Sequence, residues 1–160
     1  MTSFTVEGLP KVKGNWTSVP HPTKPGRRVM IPSNKTAKSW EEHVRLQARC
    51  SHSGPPIAGP VSVSIAFYLP RAKKHFSTSR NHPDRLVPSA PAAPVSHNDG
   101  DIDKLARAVL DACEGEVYGN DAQVVRLQVW KAYESREHGV KPGVCVAVAP
   151  VDPGPCPVIF

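Results

Sequence analysis

The stretch from Asp101 to Trp130 constrains the fold more than any other. Ile102, Leu105, Ala106, Val109, Leu110 and Cys113 recur at three and four residues, which lines them up on one face of an α-helix. Gly115 ends that helix, and a turn runs through Tyr118-Gly119-Asn120-Asp121. The period then falls to two, with Val125, Leu127 and Val129 alternating with Arg126, Gln128 and Trp130 as a strand. Any architecture for this chain has to accommodate this helix and strand together.

Weaker patterns fill in the rest. Residues 4–7 read as a short strand stopped by Gly8-Leu9-Pro10, and residues 28–31 as another. Between them, Pro20, Pro22, Pro25 and Gly26 alternate with cations and predict a surface loop. Pro32-Ser33-Asn34 offers capping residues ahead of a helix over about 36–50, in which Ala37, Trp40, Val44 and Ala48 share one face. On that spacing Trp40 belongs to the core. Val61, Val63, Ile65 and Phe67 alternate with Ser62, Ser64, Ala66 and Tyr68 and form the clearest strand, and residues 144–148 a last one. Residues 70–98 hold no period and form a basic loop expected to be flexible, and residues 150–160 a Pro-rich tail. No internal repeat is present. Strands and helices are interspersed without regular βα alternation, so the expectation is one compact α+β domain over 1–160, with a small mixed sheet and two main helices. A length of 160 residues suits a single core.

The chain carries 20 Lys and Arg against 14 Asp and Glu, a formal charge of +6, which favours a polyanionic partner such as nucleic acid or an anionic membrane surface. No run approaches the roughly 18 apolar residues of a membrane helix. The first residues lack the charged and apolar regions of a secretory signal, which makes the cytoplasm the expected compartment. Cys50, Cys113, Cys145 and Cys156 are widely spaced, with no C-x-x-C pair, and read as free thiols.

Asp99, Asp101 and Asp103 crowd the start of the second helix, and Asp121 opens the strand that follows. One Asp there caps a helix, and others gain from its positive end by some tenths of a kcal/mol. Several carboxylates together repel unless a cation or a shared proton relieves them, and Mg²⁺ prefers oxygen ligands. An EF-hand loop is excluded, because its sixth position would be Lys104 in place of Gly and its twelfth Leu110 in place of Glu. Acids within a basic chain are reconciled by a divalent ion that bridges carboxylates and a phosphate backbone, which points to phosphodiester cleavage. A capped helix with solvated acids is the alternative. Asp103, Arg107 and Asp111 fall at spacings of four, which suits either a surface ion pair or a guanidinium placed to hold a scissile phosphate.

The run Asp101-Ile102-Asp103-Lys104-Leu105-Ala106-Arg107-Ala108-Val109-Leu110-Asp111-Ala112, with Asp121-Ala122-Gln123-Val124-Val125 and Lys131 beyond it, resembles the RusA family of Holliday-junction resolvases. Its pattern is D-x-D-N-L-x-K-x-x-x-D-A-L, then an acidic D-D-x-Q-V entry and a later lysine. Val6-Glu7-Gly8-Leu9-Pro10-Lys11-Val12-Lys13-Gly14 resembles the family's first strand and turn, so most of the chain is covered, while the specific part is 101–131.

The resemblance implies that Asp101, Asp103 and Asp121 bind catalytic Mg²⁺, for which Mn²⁺ substitutes, and that Arg107 stands at the family's active-site lysine. It also implies a homodimer that nicks two opposed strands of branched DNA, above all four-way junctions, in recombination and repair. A phage or prophage gene acting in the cytoplasm of a bacterial host fits such a protein. Lys11, Lys13, Arg27, Arg28, Lys73, Lys74, Lys104 and Lys131 are the candidates for gripping DNA, with surface solubility as the plain alternative for each. Lys104 replaces the family Asn, Arg107 replaces Lys, and Asn120 stands where the first acid of the D-D pair is common. Guanidinium keeps its proton, so Arg107 can grip phosphate without serving as an acid. These departures motivate a rival reading, a branched-DNA-binding protein without nuclease activity. A second rival is an interaction protein that docks through its proline-rich loop.

Overall fold

Alternation of apolar and polar residues builds one four-stranded sheet, and two helices cover one of its faces. In a computed structural model the described residues are 1–11, 16–20, 26, 28–32, 35–80, 85–96, 99–135 and 138–152. The strands are β1 (Thr2–Glu7), β2 (Trp16–Pro20), β3 (Arg28–Pro32), β4 (Val61–Leu69), β5 (Val124–Tyr133) and β6 (Gly143–Pro150), and the helices α1 (Lys35–Ser51) and α2 (Ile102–Cys113). The main sheet runs β1-β6-β4-β5. β6 is antiparallel to both β1 and β4, whereas β4 and β5 are parallel, so the sheet is mixed. A parallel pair needs a crossover, and α2 lies in the segment that supplies it.

Val63, Ile65 and Phe67 of β4 are fully buried, as are Val144 and Val148 of β6. They meet Trp40, Val44 and Ala48 of α1 and Leu105, Val109 and Cys113 of α2 in one apolar cluster, which is where the helical spacing placed them. The α+β domain with two main helices and a small mixed sheet is thus the observed fold. Among the described residues no helix is long and apolar enough to cross a membrane.

Two segments depart from the expectation. Residues 16–20 form a strand where a loop was expected, paired antiparallel with β3 in a separate two-stranded sheet. Trp16, Thr17 and Val19 are good strand formers, but Pro20 and the prolines beyond it hide so short a run. The basic loop has local structure despite its lack of period. A short 3₁₀ turn (Lys73–His75) precedes an isolated bridge between Phe76 and Leu86, with Ser77 N–H donating to Arg85 O at 2.7 Å and Val87 N–H to His75 O at 3.0 Å. The Arg71 guanidinium stacks 4.1 Å from the centre of the Tyr133 ring, which fastens the start of the loop to the end of β5. Residues 81–84, 97–98 and 153–160, and with them most of the Pro-rich tail and Cys156, lie outside the described residues.

Candidate active site

The start of α2 forms one wall of an open cleft of about 590 Å³, lined by Ser96, Gly100, Asp101, Asp103 and Lys131 among others. Asp101 has the extended backbone of an N-cap, with φ −76° and ψ 134°, yet its side chain makes no capping hydrogen bond. The expected cap is therefore corrected. Its Oδ2 instead accepts from Lys104 Nζ at 2.6 Å, an ion pair one turn along the helix. A short charge-assisted bond to a cation competes with the neutral N–H of the helix for the same carboxylate. That hydrogen bond, and the Asp101 charge behind it, hold the Lys104 ammonium above its usual pKa.

Asp103 lies exposed in the first turn of α2, at the positive end of the helix. Asp99 is held by the loop that precedes it. Its Oδ2 accepts from Ser96 N–H at 2.9 Å while its own N–H donates to Ser96 O at 2.9 Å, so it closes the loop before the helix. Lys131 reaches across from β5 and donates to Gly100 O at 2.7 Å, tying the strand to the acid-bearing end of α2. Arg107 is exposed one helical turn after Asp103.

Asp121 is placed differently. It opens a 3₁₀ turn (Asp121–Gln123) just before β5, beside the opposite end of α2. The fully buried Tyr118 hydroxyl lies 3.0 Å from Leu110 O and 3.2 Å from Asp121 Oδ1, donating to this acceptor pair. Burial, and then the neighbouring Cys113 and Asp121, push the Tyr118 phenol far up, so it stays a donor. Asp103 and Leu110 are seven residues apart, which is about 10 Å of helix at 1.5 Å per residue. Among the described residues no three of His, Cys, Asp or Glu stand together as one metal-holding group. A single chain unites Asp101 and Asp103 with Lys104 and Lys131, with Arg107 one turn on, and leaves Asp121 apart. Two carboxylates on an open cleft still fit Mg²⁺, which keeps several waters and commonly takes one or two carboxylates plus substrate phosphate oxygens.

Reasoning on the sequence missed the residues that shape the turn before β5. Asn120 Oδ1 accepts from Ala122 N–H at 2.9 Å, and Gln123 Oε1 accepts from Asn120 N–H at 2.8 Å, a reciprocal capping box. Gln123 Nε2 also donates to Ile57 O and Gly59 O at 2.9 and 2.7 Å. The signal was present as N-x-x-Q, and Asn120 Nδ2 also donates to Glu114 Oε1 at 3.1 Å, a bond that an ionised acid at this position could not make. Of the remaining basic candidates, Lys73 and Lys74 are exposed on their turn, Lys11 is half-buried after β1, and Arg28 opens β3 exposed. Lys13 and Arg27 lie outside the described residues.

"Uncharacterized protein YqaN" of Bacillus subtilis (strain 168) is 28% identical over 130 residues, 81% of this chain and 86% of that protein. The family model for endodeoxyribonuclease RusA matches residues 9–148, which includes the cleft, α2 and the turn before β5. With that match across most of its length, the chain belongs to the RusA family of endodeoxyribonucleases, the nucleases of Holliday-junction resolution.

Proposed function

We propose that the chain is a Mg²⁺-dependent structure-specific endonuclease that acts as a homodimer and resolves four-way DNA junctions by paired nicks on opposed strands, in recombination and repair. The observation that carries this reading is the cleft in which Asp101 and Asp103 stand beside Lys131, with Arg107 one turn further along α2. Asp101 and Asp103 would hold the ion, with Asp121 as the third carboxylate of the family pattern and Mn²⁺ as a substitute. Such an ion supplies a polarised phosphoryl oxygen and a water of lowered pKa.

The side chains supply the rest. Arg107 presents a guanidinium fork to a phosphate and offsets charge that builds up on it, without giving up a proton. Lys131 fixes Gly100 and thereby the entry to α2. Lys104 neutralises Asp101 until a stronger cation competes for it. Lys11, Lys13, Arg27, Arg28, Lys73 and Lys74 grip the arms of the junction by their phosphates.

The test is cleavage of a synthetic four-way junction across a metal titration. Wild type nicks in Mg²⁺ and in Mn²⁺, and Asp103→Asn loses nicking while it still binds the junction. The Lys104 ion pair favours a second reading, in which Asp101 is occupied internally and the protein binds branched DNA without cutting it. A purified protein that binds junctions and never nicks them with either metal establishes that reading instead.

A further inference from the structure

Tyr133, the last residue of β5, is 7% exposed, and His75, the last residue of the 3₁₀ turn in the basic loop, is 9% exposed. Each carries a buried polar atom, the Tyr133 hydroxyl and His75 Nδ1, with no hydrogen-bond partner among the described residues. Folded proteins leave few such atoms, and each calls for a reason. Phe at position 133 would fill the same space without burying a hydroxyl. We infer that Tyr133 is a positioning residue for the metal-binding acids: acting through Asp99, its hydroxyl joins Lys131 in fixing the Asp99-Gly100 link from which Asp101 and Asp103 follow. This rests on the metal-dependent reading above.

The Tyr133 ring is clamped from the side of the loop. Arg71 stacks on it at 4.1 Å and is itself anchored by donating from Nη1 to Pro91 O at 2.9 Å. His75 meets the ring edge-on, at 5.7 Å between centres and 74° between planes. Burial first, and then Asp99, raise the phenol above its usual pKa, with Arg71 opposing. The hydroxyl thus keeps a proton that the Asp99 carboxylate can accept. No hydrogen bond of ordinary length joins the two groups. Bonds of this kind in active sites are often long until substrate binds and tightens them.

Tyr133 and Lys131 stand two residues apart on β5 and so project from the same face of the strand. Lys131 Nζ donates to Gly100 O at 2.7 Å, and the residue before Gly100 is Asp99. The end of one strand therefore reaches two successive residues at the entry to α2. Asp99 already accepts from Ser96 N–H at 2.9 Å, and a carboxylate has room for a second donor. Held by Ser96 and Tyr133, Asp99 does not compete for the ion, which is left to Asp101 and Asp103.

Tyr133→Phe keeps the ring and its contacts with Arg71 and His75 and removes the hydroxyl alone. It is expected to melt at or above the wild-type temperature and to bind an uncleavable four-way junction with wild-type affinity. Nicking under single-turnover conditions should slow by about 10- to 100-fold, and Mn²⁺ affinity by electron paramagnetic resonance should fall with it, the scale for outer groups that orient metal ligands. Asp99→Ala should show a similar loss. The double variant Tyr133→Phe, Asp99→Ala should be no slower than Asp99→Ala alone, because the hydroxyl acts through that carboxylate. Losses that multiply in the double variant overturn the inference, as does a Tyr133→Phe protein that nicks and holds Mn²⁺ like wild type. Either result leaves the metal-nuclease reading standing. Should Tyr133→Phe melt lower than wild type, the same comparison of double and single variants decides, at a temperature where all are folded. A wild type that neither holds Mn²⁺ nor nicks overturns both readings.

Discussion

Arg107 is where the chemistry of the site depends most on one side chain. It sits one turn after Asp103 and is exposed, so its fork is available to a phosphate. Arg107→Ala should leave the melting temperature near wild type and slow junction cleavage by about 10²-fold or more, the scale for removing a donor that stabilises transition-state charge. Arg107→Lys should retain part of the rate, as single-turnover kinetics would show. Equal loss in both variants would mean that the planar fork is required. Cys113 makes a prediction about pH. Burial pushes its thiol from 9.0 up to about 12, with Asp121 adding and Arg45 opposing. Below pH 9 both folded and unfolded chains keep the proton, so stability there is unaffected by this group. As pH climbs from 9 toward 12 the unfolded thiol ionises first, and stability falls by about 1.4 kcal/mol per pH unit for one proton. Urea unfolding of Cys113→Ala across this range should show a shallower alkaline decline.

Strand β6 joins β1 to the rest of the sheet, and Gly143, opposite Glu7, sits close against the β1 backbone. A Cβ on Gly143 would lie 2.3 Å from Val6 O, a backbone atom held by the β1 to β6 register. Gly143→Ala should therefore cost about 1–3 kcal/mol, as overpacking does, and lower the melting temperature. The same substitution at Gly54, where nothing stands within 4 Å, meets no such contact and isolates the strain of its φ of +103°. Elements with strong periods were legible in the sequence: α2, α1 with its buried Trp40, and β4 all follow their apolar spacing. β2 was not, because five residues ending in proline carry no detectable period and gain their pairing from β3. The site was half legible. Neighbouring residues such as Asp101 and Asp103 share a helix start by geometry alone, whereas the distance from Asp103 to Asp121 depends on how the turn after α2 is folded. Spacing along the chain does not contain that distance. The Lys104 contact that displaces the expected cap is likewise a side-chain choice among several that the spacing allows.

At the scale of the molecule, a chain of net charge +6 exposes an acidic notch at the start of α2, and the two have opposite effects on DNA. Cations elsewhere neutralise phosphates and release counterions, so junction affinity should fall steeply with salt, with a slope in log affinity near −0.9 for each phosphate neutralised on duplex arms. Asp101 and Asp103 work against that attraction while no divalent ion is present. Removing a unit charge about 4 Å from a phosphate is worth roughly 1 kcal/mol in water, or about fivefold in affinity. In chelator-containing buffer the double variant Asp101→Asn, Asp103→Asn should thus bind a junction several-fold more tightly than wild type. Lys104 partly shields Asp101 through its 2.6 Å contact, so Asp103→Asn alone should account for the larger share of the gain. Adding Mg²⁺ should tighten wild type toward the double variant and change the double variant less, because only wild type keeps both carboxylates of the cleft for the ion to neutralise. Fluorescence anisotropy with an uncleavable junction at fixed ionic strength measures all of these affinities. If wild type and double variant bind alike in chelator, the two acids do not face the phosphates, and the cleft at the start of α2 is not where DNA lies.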